Sequence, residues 1–463
     1  MNIGIDFGTT NTVAAFVNSS GAVQVLPLDD SNPDSMTMRT LIYAERDGTF
    51  HFGADATHTH RIQNLGRVPR FSKQWIGFLD MDISEFTAKG YDIKGGTTIV
   101  DLFSDVDVDA PGRLLHSLKS PLATDYAGTN LFGAYYSLES LIGLLLGRLR
   151  QRIEVLTGEP VQRAVFGRPV NFASASGATA NDRAQARLAQ AAELAGFRDV
   201  EFEMEPIAAG LSTLHETPAG SIVNTLVFDF GGGTLDIAIM CSKQGEGSRV
   251  LATGGVGIAG DHFDQVVFKR ALRKWFGEGV KWGPQRLDFP VKLMDALGDW
   301  QEIPSLCTEQ TLLFLREAQR DCSSPIRLMA LEDLIARGHA YDVYAEAERT
   351  KVALSTNPFS IAQYQGDAID IWQPVWRTDF DGWISRERRI IGKLIDDTLA
   401  NAGLAANEID QVVRTGGSSS IPTFVAMLGE KFGRDRVVER DLFTAVAAGL
   451  ALRAAQIKTR AHV

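Results

Sequence analysis

Twice this chain sends an apolar strand into Asp-Phe-Gly and then into a turn of Gly and Thr. The first copy is "IGIDFGTTNT" (residues 3–12) and the second, near the middle, is "VFDFGGGTLD" (residues 227–236). Glycine lets a backbone adopt positive φ and approach a ligand closely. Successive exposed N–H groups then form a cradle for phosphate oxygens, and threonine hydroxyls add donors. The candidates are Gly8, Thr9, Thr10 and Asn11 in the first turn and Gly231, Gly232, Gly233 and Thr234 in the second. Asp6 and Asp229 end the two strands, where carboxylates can hold Mg²⁺ through its retained waters. One Asp-x-Gly-Thr also occurs where aspartate merely caps a turn. Two copies in matching strand context predict two similar half-molecules that grip a di- or triphosphate from both sides.

The rest of the chain follows the same plan. Residues 2–7 and 12–17 read as strands. "SLESLIGLLLGRLRQRIEVLTG" (residues 137–158) has helical apolar spacing, a Ser N-cap, Glu139 in its first turn and a closing Gly158. "VQRAVFGRPVNF" reads as a strand that ends at Pro169, and "NDRAQARLAQAAELAGF" (residues 181–197) as a helix stopped at Gly196. "VEFEMEPIAAGLSTL" is a strand broken at Glu205-Pro206 into a helix. After the second hairpin come predicted helices over 261–276 and 344–355, then strand, Gly-rich turn and helix over 409–433, and a final helix, "TAVAAGLALRAAQI". Residues 277–340 show mostly helical pattern without clear boundaries. Strand pairs followed by helices, twice over, imply two α/β lobes with mixed sheets around a cleft.

Composition narrows the function. A net charge of −11 and the absence of a basic cluster argue against a nucleic-acid surface. Cys241, Cys307 and Cys322 have no Cys-x-x-Cys spacing, which suits a reducing compartment and offers no thiolate metal site. The N-terminal apolar run contains Asp6 and reads as a strand rather than a signal peptide, and no apolar run approaches the length of a membrane span. The expected location is the cytoplasm. His58 and His60 in "THTH" read as surface histidines, and Trp275, Trp282 and Trp300 as packing residues.

The two turns, with the segments between and after them, resemble the ATPase domain of the 70-kDa heat-shock (DnaK-type) chaperones, within the actin, hexokinase and heat-shock ATPase superfamily. "IGIDFGTTNT" is similar to that family's first phosphate loop, "VFDFGGGTLD" to its second, and "RTGGSSSIP" to its adenosine loop. "AVFGRPVNF", "EMEPIAAGL", "GIAGDHFD" and "ERTKVALS" match further segments in the same order, and the wording is closest to the shorter YegD-like branch. The resemblance implies a two-lobed actin-like fold of duplicated ribonuclease H-like domains. Lobe one would be residues 1–218, completed by a C-terminal helix over 439–463. Lobe two would be residues 219–438, with an enlarged insertion at about 277–340.

The resemblance also implies ATP and ADP as ligands with Mg²⁺, and slow hydrolysis to ADP and phosphate. Thr9 and Thr10 would meet the phosphates opposite residues 231–234, with Asp6 and Asp229 organising Mg²⁺. Glu205 and Asp236 would orient the attacking water, and Pro169 would sense the γ-phosphate. Gly260 would lie near the phosphates, while Glu348, Lys351, Ser355, Gly416, Gly417 and Ser418 would embrace the nucleoside. The family's phosphate lysine has two candidates at one spacing, Lys73 in "GRVPRFSK" and Lys119 in "GRLLHSLK". The context "SLKSPLA" favours Lys119.

Ser420 stands where the chaperones present an adenine-stacking arginine, and Phe443-Thr444 where they carry Asp-Glu. The sequence ends soon after its last helix, from which the expectation is that the interdomain linker and β-rich peptide-binding domain are lacking and that generic peptides do not stimulate hydrolysis. A protein client or co-chaperone remains unidentified, and a monomer is favoured. The alternatives are a small-molecule kinase of the same superfamily and an actin-like, nucleotide-gated scaffold or filament.

Overall fold

In the computed structural model the described residues are all but 68, 83–96, 162, 173–176, 215–221, 244–246, 300–301, 440–443 and 457–463. Trp300, Phe443 and, within the expected 439–463 closing segment, residues 440–443 and 457–463 therefore lie outside them.

Two mixed sheets with one topology organise the chain. In the first, Asn2–Phe7 is central. It pairs antiparallel with Asn11–Val17, which pairs antiparallel with Val23–Val25; on its other side it runs parallel to Arg163–Arg168, which runs parallel to Asp199–Met204. In the second, Ile222–Phe230 is central. Leu235–Lys243 and Gly247–Val256 follow antiparallel on one side, and Gln411–Thr415 and Val437–Glu439 parallel on the other. The second sheet repeats these five strands in order and direction, and the first adds the short strand Met38–Arg39, antiparallel to Asn11–Val17. Each central strand carries its Asp-Phe at the same end, which is why the motif occurs twice.

The central strands are almost continuously apolar because helices cover both faces of each sheet. Ile3, Ile5, Phe7, Leu226, Val227, Phe228 and Phe230 are fully buried. Leu138–Thr157 forms the predicted helix: the Ser137 side chain accepts from the Ser140 N–H, and Gly158 closes it at φ +69°. The next helix is Ala178–Leu194, followed by Gly196 at φ +91°.

A third cluster joins the two sheets. Val165 from the first, Val227, Ala238, Met240 and Val413 from the second, Ala208 and Ala209 from the Glu205–Leu214 helix, and Val446, Leu450 and Ala454 from the Ala445–Gln456 helix share one apolar seam. The small residues of "AVAAGLALRAA" permit this. A Cβ on Gly449 would fall 1.7 Å from the Ala208 carbonyl oxygen, and one on Gly4 would fall 2.3 Å from the Ala451 nitrogen.

The structure amends several sequence expectations. The helix over 261–276 is a short α-helix, Gly260–Val267, that continues through a π-helical segment, Phe268–Leu272, into a 3-10 turn, Arg273–Phe276. Residues 277–340 contain a two-stranded ribbon and the helices Val291–Ala296, Glu309–Arg320 and Pro325–Ala336. The acidic stretch 101–110 enters the strand Thr97–Asp107, paired with Phe71–Asp82. His60 is not a surface histidine: it packs between the rings of Tyr43 and Tyr341, and burial pushes its pKa down to about 4. His58 is exposed, and Trp275 and Trp282 pack against the second-lobe core.

Candidate nucleotide site

The two glycine turns are built alike. The Gly8 N–H donates to the Asn11 carbonyl at 3.0 Å, and the Gly231 N–H to the Thr234 carbonyl at 3.1 Å. They face each other closely. A Cβ on Gly232 would come 2.3 Å from Thr10 Oγ1, and one on Gly233 would come 2.5 Å from Thr9 Oγ1. Only glycine leaves room for the opposing threonines there.

Each turn is braced from behind. Thr40 donates its hydroxyl to the Gly8 carbonyl at 2.9 Å. On the second side the Ser418 hydroxyl (2.8 Å) and the Gly260 N–H (3.1 Å) both donate to the Gly231 carbonyl. Gly416 adopts φ +78°, and a side chain there would strike Phe230 and Gly231. The Arg414 guanidinium, buried beneath this loop, donates to the Ser419 carbonyl at 2.6 Å and pairs with Glu439.

Below the turns lies a buried ion pair. Lys119 Nζ stands 2.6 Å from Glu205 Oε1, with both side chains about nine-tenths buried. Glu205 is the first residue of its helix, directly after the strand Asp199–Met204, so the Glu-Pro break aims the carboxylate at the cleft. Asp6, Asp229 and Asp236 complete the group, Asp229 and Asp236 being register partners across the second hairpin. Asp236 accepts from the Val170 N–H at 2.9 Å, which ties it to the residue after Pro169.

Four carboxylates thus converge on one ammonium. Burial, reinforced by Glu205, raises Asp6 against the opposing pull of Lys119. Burial and then Glu205, Asp6 and Asp236 push Asp229 well above the usual carboxylate range. Asp236 rises to about 7, through burial and then Glu205, despite the Thr234 and Val170 donors. Burial alone would depress Lys119, but Glu205, Asp6 and Asp236 hold its ammonium above its ordinary value. Such a cluster is short of positive charge, and a divalent cation beside Asp6 and Asp229 would supply it. Lys73 is elsewhere: it is exposed on the Phe71–Asp82 strand, opposite Asp105.

Glu348, Lys351 and Ser355 lie on the Ala340–Thr356 helix at spacings that share one face. Lys351 is buried and pairs with Asp264 at 2.8 Å, with the Gly260 carbonyl at 3.3 Å. Glu348 reaches across to Arg39 at 3.5 Å, and Thr10 donates to Asp261 at 3.2 Å. Thr9, Thr10, Arg39, Asp261, Asp264 and Glu348 line one cavity. Arg39, Asp261 and Asp264 were not singled out in the sequence. Asp261 and Asp264 stand inside the quoted "GIAGDHFD", where carboxylates three residues apart on a short helix were the available signal.

Duplicated sheets with facing phosphate-type turns define the two-lobed actin-like α/β ATPase fold. The family model described as "Hsp70 protein" matches residues 118–280 and 338–463, more than half of the chain, and the chain belongs to the Hsp70 family. Similar proteins include the chaperone protein DnaK of Thermotoga petrophila, 24% identical over 98% of this chain and 59% of its own length. The chaperone protein HscA homolog of Delftia acidovorans is 24% identical over 98% of this chain and 58% of its own. The heat shock 70 kDa protein BIP3 of Oryza sativa subsp. japonica is 25% identical over 93% and 52%. The chain thus spans about three fifths of the length of the DnaK and HscA relatives and about half that of the rice protein. Among the described residues no helix is long and apolar enough to cross a membrane.

Proposed function

We propose that this chain binds MgATP between its lobes and hydrolyses it slowly to ADP and phosphate, as a chaperone-type ATPase of the cytoplasm. The observation that carries the reading is the pair of facing glycine turns above the Asp6, Asp229, Glu205 and Lys119 cluster. Thr9, Thr10 and residues 231–234 bind the phosphates, and Asp6 and Asp229 hold the metal with its waters. A bound magnesium ion supplies positive charge to the phosphoryl oxygens. Phosphoryl transfer of this kind depends on positioning and charge stabilisation. Glu205 and Asp236 orient the attacking water, and Lys119 rather than Lys73 neutralises charge on the transferring group. Pro169, beside the Val170–Asp236 bond, senses the γ-phosphate. Gly260, Glu348, Lys351, Ser355, Gly416, Gly417 and Ser418 enclose the nucleoside.

In this reading residues 1–218 with the 439–463 segment form lobe one and 219–438 lobe two, with 277–340 an insertion. A protein client or co-chaperone would meet these lobes. Nucleotide binding and phosphate release, measured with Mg²⁺ and with chelator, test the proposal. Saturable, Mg²⁺-dependent binding with slow release to water is expected. Absence of binding, or transfer to a small acceptor in preference to water, would sink it.

A further inference from the structure

A second group of metal-ligating side chains lies away from the glycine turns, where the Pro325–Ala336 and Ala340–Thr356 helices meet the hairpin of Phe359–Gln365 and Asp370–Trp376. One carboxylate oxygen each from Asp333 and Asp367 and one ring nitrogen of His339 fall within 4.8 Å of one another. Asp333 and His339 are buried, and Asp367 is exposed, so the cluster has a dry floor and a wet mouth.

The state of His339 follows from its neighbours. His339 Nδ1 lies 2.7 Å from the Tyr364 hydroxyl. With the ring proton on Nδ1 the imidazole donates to that oxygen and carries its lone pair on Nε2. That Nε2 is buried and has no hydrogen-bond partner, although the residue is only 3% exposed. Buried polar atoms are almost always satisfied, and an orphan calls for a water or an ion. Gly366 holds the ring in place: a Cβ there would stand 2.9 Å from Cε1 and 3.3 Å from Nε2.

Arg337 now supplies the positive charge, bonding Asp367 at 2.5 Å and Asp333 at 3.2 Å. Its side chain is 38% exposed, so it can leave for solvent. The Ala368 N–H also donates to Asp333 Oδ2, which orients that carboxylate.

We propose that Asp333, His339 and Asp367 bind a first-row divalent cation, Zn²⁺ in the first instance, which displaces Arg337 from the two carboxylates. Two carboxylate oxygens and one imidazole nitrogen suit zinc with water as a fourth ligand, and the absence of thiolate argues against softer ions. The Tyr364 bond to the far ring nitrogen is the kind of support that metal-ligating histidines have. The cation would clip the start of the helix bearing Glu348 and Lys351 to the neighbouring hairpin. It would do so beside the Arg337 carbonyl, which accepts from the Gly66 N–H across the cleft at 3.0 Å.

The test is zinc titration of the metal-stripped, Mg²⁺-saturated full chain, with bound zinc counted after equilibrium dialysis. One saturable equivalent is expected to vanish in His339→Gln and in Asp367→Asn and to persist in Asp229→Asn. The exposed Asp367 guards against the possibility that the histidine variant fails to fold. Tyr364→Phe should weaken binding about tenfold, and Arg337→Gln should tighten it. No saturable binding by the unaltered chain, or equal binding by it, His339→Gln and Asp367→Asn, would overturn the site. Unchanged or weaker affinity in Arg337→Gln would overturn the displacement of the arginine.

Discussion

Two buried lysines, Lys119 and Lys351, sit in acidic company on opposite sides of the cleft, and their surroundings differ in balance. Around Lys119, four carboxylates face one ammonium. Around Lys351, Asp261, Asp264 and Glu348 face both that lysine and, across the cleft, Arg39. Burial raises Asp261 to about 6 and also raises Asp264, with Lys351 opposing both shifts. The second cluster comes close to neutrality by its own means and joins the lobes. The first is short of positive charge and lies where the two glycine turns converge. In the function proposed above, similar residue types would serve a reaction centre in one place and a clasp in the other.

The largest expected effect separates the two candidate phosphate lysines. Lys119→Met should slow phosphate release about a hundredfold, the usual cost of one lost stabiliser of transition-state charge. Lys73→Met should leave it unchanged. Equal losses, or equal indifference, would erase the special standing of the first cluster.

A second effect is on stability. Asp236 has a folded pKa of about 7 against an ordinary carboxylate value near 3.8. Between these values the native state binds more protons than the unfolded one, so this group's stabilising contribution is complete below about pH 4 and is lost as pH rises through 7. Asp236→Asn should remove that loss, making the variant more stable than the parent at pH 7 by on the order of 2–4 kcal/mol relative to their difference at pH 4. Asparagine keeps an acceptor for the Val170 N–H. Urea unfolding at the two pH values measures this, and parallel pH profiles would contradict it.

The smallest effect belongs to the clasp. Arg39→Gln removes a partly exposed ion pair worth at most about 1 kcal/mol. It should quicken nucleotide release severalfold while leaving single-turnover hydrolysis within about twofold. A hydrolysis defect as large as that of Lys119→Met would mean that the two clusters act as one.

The features legible in the sequence were those written in local chemistry. Gly232 and Gly233 announce a close approach because no other residue fits opposite Thr9 and Thr10. Ser137 and Gly158 mark helix ends because capping is a matter of adjacent residues. The proline after Glu205 marked the end of a strand, and Glu205 itself was singled out only by its place among the segments that resemble the family. What remained hidden depends on distant partners. Lys351 was singled out only by the segment around it, and its partner Asp264 stayed hidden because only the fold brings the two together. The interruption of the helix at Phe268–Leu272 is likewise silent in a pattern of apolar spacing. His60 reads as a surface residue until Tyr43 and Tyr341, far away in the chain, enclose it.

The most direct test of the paired-turn account is Mg²⁺-dependent phosphate release in a single turnover by Asp229→Asn, alongside the unaltered chain. Loss of one charge-stabilising group at the transition state predicts a fall of roughly a hundredfold, with the circular dichroism spectrum retained and the unfolding midpoint not lowered. A folded Asp229→Asn that releases phosphate at the parent rate would contradict the assignment of the two Asp-Phe-Gly strands to the metal and the phosphates.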